Sequence, residues 1–145
     1  MRQVGWMFGL LFLVFAGGAQ ACVGDLVLPK PASNAQIYGF AAGQILGRAE
    51  ACGIDTRRYE AEVNRKIPRL ARSYSDTACA FFGFDHFMAN LMYYQERHEM
   101  PKCEIVRKLF ADTEWTVQGL IRAQKAFHQA TAAAVLKRST AKRLP

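Results

Sequence analysis

Four cysteines, Cys22, Cys52, Cys79 and Cys103, are the residues of this chain best suited to covalent chemistry. None sits in a Cys-x-x-Cys, so the residues for dithiol exchange or for covalent haem attachment are missing. Cys79 and Cys103 taken with His86 and His98 match no zinc spacing, and His98-Glu99-Met100 does not extend to His-Glu-x-x-His. No metal and no cofactor is expected. What remains is crosslinking: an even cysteine count in a small exported chain predicts two disulfides.

The other chemical candidate is the adjacent pair Asp85 and His86, with Asn90, Tyr93 and Arg97 following along the His86 side of one helix. An imidazole beside a carboxylate is the least that general acid–base catalysis needs. Secreted phospholipases A2 show a similar adjacency, a catalytic His next to a calcium-ligating Asp on a helix of a small disulfide-linked protein. The resemblance ends there, because the order here is Asp then His, no flanking Cys matches and no Gly-rich loop precedes the pair. A partly exposed or hydrogen-bonded structural histidine is the preferred reading. A small secreted hydrolase using His86 with Asp85 is the alternative.

Helices must position all of these residues. Ser33 or Asn34 caps a first helix that runs to about Cys52, where Gly53 is a natural left-handed terminator. Asp55 caps a second, on which Tyr59, Val63, Ile67, Leu70 and Tyr74 form a helical stripe. Pro68 predicts a kink or break near Asn64 to Ile67. Ser75 caps a third, with Asp76 in its first turn, continuing to about His98. Pro101 opens a fourth, and Asp112-Thr113 either divides the rest into two helices or does not.

Short connections favour antiparallel neighbours, so the fold class is all-α, a small antiparallel bundle of four to five helices. In that bundle Cys52 and Cys103 lie at one end, while Cys79 lies at the other, where the segment bearing Cys22 begins. The third helix, at about 1.5 Å per residue, holds Cys79 and Cys103 roughly 35 Å apart, beyond disulfide reach. The predicted bridges are Cys52 with Cys103 and Cys22 with Cys79.

The reading of the cysteines depends on export. Arg2, the apolar run Val4 to Phe15 and the small residues ending in Ala19-Gln20-Ala21 form a cleavable secretory signal over residues 1–21. The run is shorter than the roughly 20 residues of a spanning helix, so the mature chain is expected to have no transmembrane span and to be periplasmic or secreted. The rival is lipoprotein processing, which would anchor the chain by lipid at Cys22 and leave Cys79 a buried thiol. Against it, Ala19 and Gln20 stand where such signals carry a Leu-like residue and a small one.

Of the 145 residues, 51% are hydrophobic and 21% charged, which excludes disorder and fits one helical domain over residues 22–138 with a frayed basic tail at 139–145. The formal charge of +7 is local. Cys22 to Glu114 is neutral, whereas Arg122, Lys125, Lys137, Arg138, Lys142 and Arg143 follow with no acid among them. These six are the candidate binding residues, directed at an anionic envelope surface or an acidic envelope protein, through forces that weaken with salt. Nucleic acid is disfavoured as a partner by export. A second basic line, Arg58, Arg65, Arg69 and Arg72 interrupted by Glu62, reads as a solvated helix face.

Gly39, Gly43 and Gly47 recur every fourth residue on the first helix, each at about 1 kcal/mol below Ala in helix propensity. Close approach of another helix would offset that, either within the chain or as a homodimer seam. The ring-rich third helix, from Phe81 and Phe82 through Phe84, Phe87 and Met88 to Tyr93 and Tyr94, is the expected filler and the expected central, most buried helix.

At Ile45-Leu46-Gly47 and Cys52-Gly53, with a distant Cys103 opening a helix, the chain resembles a group of small exported helical proteins of alphaproteobacteria that have no established activity. An aromatic–Arg pair, a Phe-Asn and a Gly-Tyr element of that group are absent here; Tyr59, preceded by Arg58, stands nearest to the first. The resemblance implies export and the Cys52–Cys103 bridge and carries no activity. The functional expectation is an exported, non-enzymatic helical protein that acts through its surfaces.

Overall fold

The computed structural model describes Cys22 and residues 32–143, which form helices joined by short turns, with no strand among the described residues. The expected signal segment lies outside the described residues. Helix α1 spans Asn34–Ala51, α2 Arg57–Leu70, α3 Tyr74–His98, α4 Cys103–Ala111 and α5 Val117–Ala141.

Ser33 caps α1 by accepting from the Gln36 amide at 3.1 Å, and Cys52 followed by Gly53 at φ 75° ends it. Thr56 rather than Asp55 holds the N-cap position of α2; Asp55 instead accepts from the Arg57 amide at 3.2 Å. The break expected near Asn64 to Ile67 is absent. Pro68 falls in the last turn, so its missing N–H removes one bond to the Asn64 carbonyl, and α2 runs unbroken until Leu70.

For α3 the cap is Ser73, two residues earlier than expected. Its hydroxyl accepts from the Asp76 amide at 3.1 Å, while the Asp76 carboxylate accepts from the Arg72 amide at 2.8 Å, a reciprocal arrangement of the capping-box kind that Ser75 cannot make. Ser33 donates to the same carboxylate, tying the starts of α1 and α3 together. Pro101 precedes rather than opens α4, which begins at Cys103. Asp112-Thr113 does divide the last stretch: α5 starts anew with Thr116 accepting from the Gly119 amide at 3.0 Å. It continues to Ala141, so Ser139 and Thr140, placed in a frayed tail by the sequence reading, are helical and bond back to the Leu136 and Lys137 carbonyls.

The chain runs up and down. Gly39, Gly43 and Gly47 of α1 face Ala80, Phe84 and Met88 of α3 in ascending order, so these two helices are parallel, with α2 returning between them to bring Ile67 beside Gly39. Cys52 and Cys103 are joined with Cα atoms 5.3 Å apart, and Cys22 and Cys79 at 5.4 Å, as the helix lengths required. The Cys22 sulfur that would have carried a lipid is the one bonded to Cys79.

The expectation that α3 is the most buried helix fails. The central helix is α1, which touches all four others and has eleven buried residues, whereas α3 has five. A helix lined with Ala and Gly lets neighbours approach from every side, while the rings of α3 are too many for one interface, and Phe82 and Tyr93 remain exposed. At each of the three glycines an added Cβ would overlap an α3 backbone carbonyl, that of Ala80, Phe84 or Met88. The stripe is therefore a packing groove within the chain, and the homodimer seam through Gly39, Gly43 and Gly47 is closed by α3.

Candidate binding surface on the last helix

Helix α5 is held by its first half. Leu120 and Phe127 insert into the core, and the absent side chain of Gly119 admits the Glu114 carbonyl. Past Phe127 no residue of α5 is buried, and Val135 and Leu136 are 45% and 65% exposed. The helix climbs beside α1, where His128 meets Gln44 at 2.9 Å, and ends over the α3–α4 connection, where Arg138 donates to the His98 carbonyl at 3.0 Å. Partial desolvation against α1, and then the charge of Arg48, hold the His128 imidazole below its ordinary value of 6.5. It is neutral at pH 7, with Nε2–H as the donor to Gln44.

All six basic residues singled out from the sequence are exposed. Arg122 is paired with Glu114 of the α4–α5 turn, so its charge already has a partner within the chain. Lys125, Lys137, Arg138, Lys142 and Arg143 have no carboxylate at ion-pair distance among the described residues. Lys137 and Arg138 edge an open groove of about 470 Å³ between α5 and the α3–α4 connection, joined there by Lys102 and Glu99. Its walls are apolar, with Met100 and Ile105 on one side and Ala130 and Ala134 on the other.

Behind this groove lies a feature the sequence reading missed. Arg48 of α1 is 4% exposed and donates to the Met100 carbonyl at 3.0 Å and to Gln95 Oε1 at 3.2 Å, with the Tyr94 ring 5.7 Å away. Gln95 is in turn buried and donates to the Pro101 carbonyl. Burial pulls the Arg48 guanidinium down from its ordinary value, partly offset by Tyr94, yet an arginine stays charged in a protein. The result is a buried cation solvated by carbonyl dipoles and left without a carboxylate partner among the described residues. The one signal in the sequence was its position, a lone charge inside Ile45-Leu46-Gly47-Arg48-Ala49.

The catalytic candidates are not brought together. His86 is half-buried, stacked on Phe82 and hydrogen-bonded to Asn90 Nδ2 at 2.9 Å, while Asp85 is exposed on the next helical position, around the circumference. Cys79 and Cys103 are consumed in separate bridges, and no group of metal-binding side chains forms among the described residues. Arg58, Arg65 and Arg69 lie exposed along α2 as a solvated face, while Arg72, also exposed, falls past the end of that helix in the turn to α3. No described helix is long and apolar enough to cross a membrane. No protein-family model, no curated protein and no solved structure matches this chain.

Proposed function

We propose that this is an exported, non-enzymatic helical protein, periplasmic or secreted, whose disulfide-tied body presents α5 to an anionic surface of the cell envelope. One observation carries the reading. The second half of α5 is unnecessary to the core, yet it is helical, free of acids and bears Lys137 and Arg138 beside exposed Val135 and Leu136, with Lys142 and Arg143 directly after its last residue. Cations flanking a modest apolar strip give reversible, salt-sensitive attachment rather than insertion. Two crosslinks that persist in an oxidising compartment support the location.

Co-sedimentation with phosphatidylglycerol-containing vesicles tests it. The protein is expected to bind them at low ionic strength, to release at high salt and to ignore neutral phosphatidylcholine vesicles. Replacing Lys137, Arg138, Lys142 and Arg143 by Gln is expected to abolish the binding. Equal binding to both vesicle types, or no loss in the variant, contradicts the reading.

A further inference from the structure

We infer that the groove between α5 and the α3–α4 connection is a binding site for a single-chain anionic amphiphile, an acyl chain ending in a carboxylate or phosphate. This deepens the reading of α5 as an anion-facing surface by naming the ligand class, and the two stand or fall on different measurements.

The shape comes first. At about 470 Å³ the groove falls within the roughly 300–1,000 Å³ of ordinary small-molecule sites. It is open along one side, which admits an elongated ligand without any helix moving. Met100 and Ile105 face Ala130 and Ala134 across it, and the short alanine side chains on α5 leave the space between the walls unfilled. These surfaces present no directed polar side chain along the floor, so they suit methylene groups rather than a sugar or a nucleotide.

Charge then selects the head group. Lys102, Lys137 and Arg138 stand at the edge with Glu99 as the single acid, and none of the three cations forms an ion pair among the described residues. Arg138 reaches the His98 carbonyl with one Nη, which fixes its guanidinium at the mouth and leaves other donors free. Arg48 adds a further positive charge from beneath, through a low-dielectric wall that screens it little; its own donors turn toward the carbonyl of Met100, whose side chain lines the groove. An anion at the mouth gains from all four cations. A cationic amphiphile of equal chain length meets the same walls and the opposite sign of potential, so chain burial and charge can be separated by experiment.

The test is calorimetric titration of the disulfide-bonded protein with dodecanoate below its critical micelle concentration, run beside dodecyltrimethylammonium and acetate. Dodecanoate is expected to saturate at one per chain, with dodecyltrimethylammonium and acetate each weaker by about tenfold or more. Ala134→Phe, which fills the groove, and separately Lys137→Glu, on an exposed position that does not threaten folding, should each weaken dodecanoate by about tenfold. Dodecyl phosphate in place of dodecanoate distinguishes the two head groups. Equal affinity for the ammonium amphiphile would reduce the site to an apolar groove, and equal affinity for acetate to a cluster of cations; either overturns the inference, as does binding untouched by both variants. Ala134→Phe should leave vesicle binding intact. Loss of vesicle binding in the four-Gln variant therefore reports on the surface, and loss of dodecanoate in Ala134→Phe on the groove.

Discussion

The α1–α3 seam and the last half of α5 are built on opposite principles. In the seam, glycines press one helix backbone on another, and Phe40 of α1 lies over Gly83 of α3 in return. Neither helix can shift without a collision. Along α5 beyond Phe127, alanines too short to fill the space toward the α3–α4 connection leave a groove and no buried side chain. A helix that costs the fold little when altered is free to carry charges that no internal partner neutralises. On the proposed reading, stability is thereby concentrated in one region and recognition in another.

The comparison can be broken from its stable side first. Replacing Cys52 and Cys103 together by Ser releases a loop with a sequence separation of 51 and is expected to lower unfolding free energy by about 4 kcal/mol, read by urea denaturation. Gly43→Val should follow at about 3 kcal/mol, because its side chain must displace the Phe84 backbone. Arg48→Met keeps the apolar stem but leaves Gln95 Oε1 and the Met100 carbonyl without a donor, a loss of about 2 kcal/mol. It also removes the charge behind the groove, so dodecanoate affinity should fall with stability, making Arg48 the residue where the two regions meet. A Gly43→Val protein as stable as the parent would mean the seam is not the rigid part of the molecule.

The bundle and its bridges were legible because helix length and an up-and-down path together decide which cysteines can meet. A helix that spans the body cannot join Cys79 to Cys103, and no side-chain detail alters that. Cap positions were legible only to within two residues: Ser73 and Ser75 flank Tyr74, and the choice between them rests on Asp76 reaching back to the Arg72 amide, a bond between neighbours that spacing does not reveal. Burial was misjudged on α3 because counting rings measures how much apolar surface a helix offers, not how much its neighbours can cover. The small residues of α1 decide that instead, by letting every other helix come close. The basic residues of α5 were read directly, since absence of acids is a property of sequence. The groove was not, because Met100 and Ala134 face each other only when α5 crosses the α3–α4 connection.

One pair of readings on a single altered protein tests the division most directly. Deleting residues 133–145 removes Lys137, Arg138, Lys142 and Arg143 and no buried side chain among the described residues. The expected result is a loss of about 1 kcal/mol or less in stability, both disulfides retained, and binding to anionic vesicles abolished. A shortened protein that unfolds while the vesicle binding of its soluble fraction persists would contradict it.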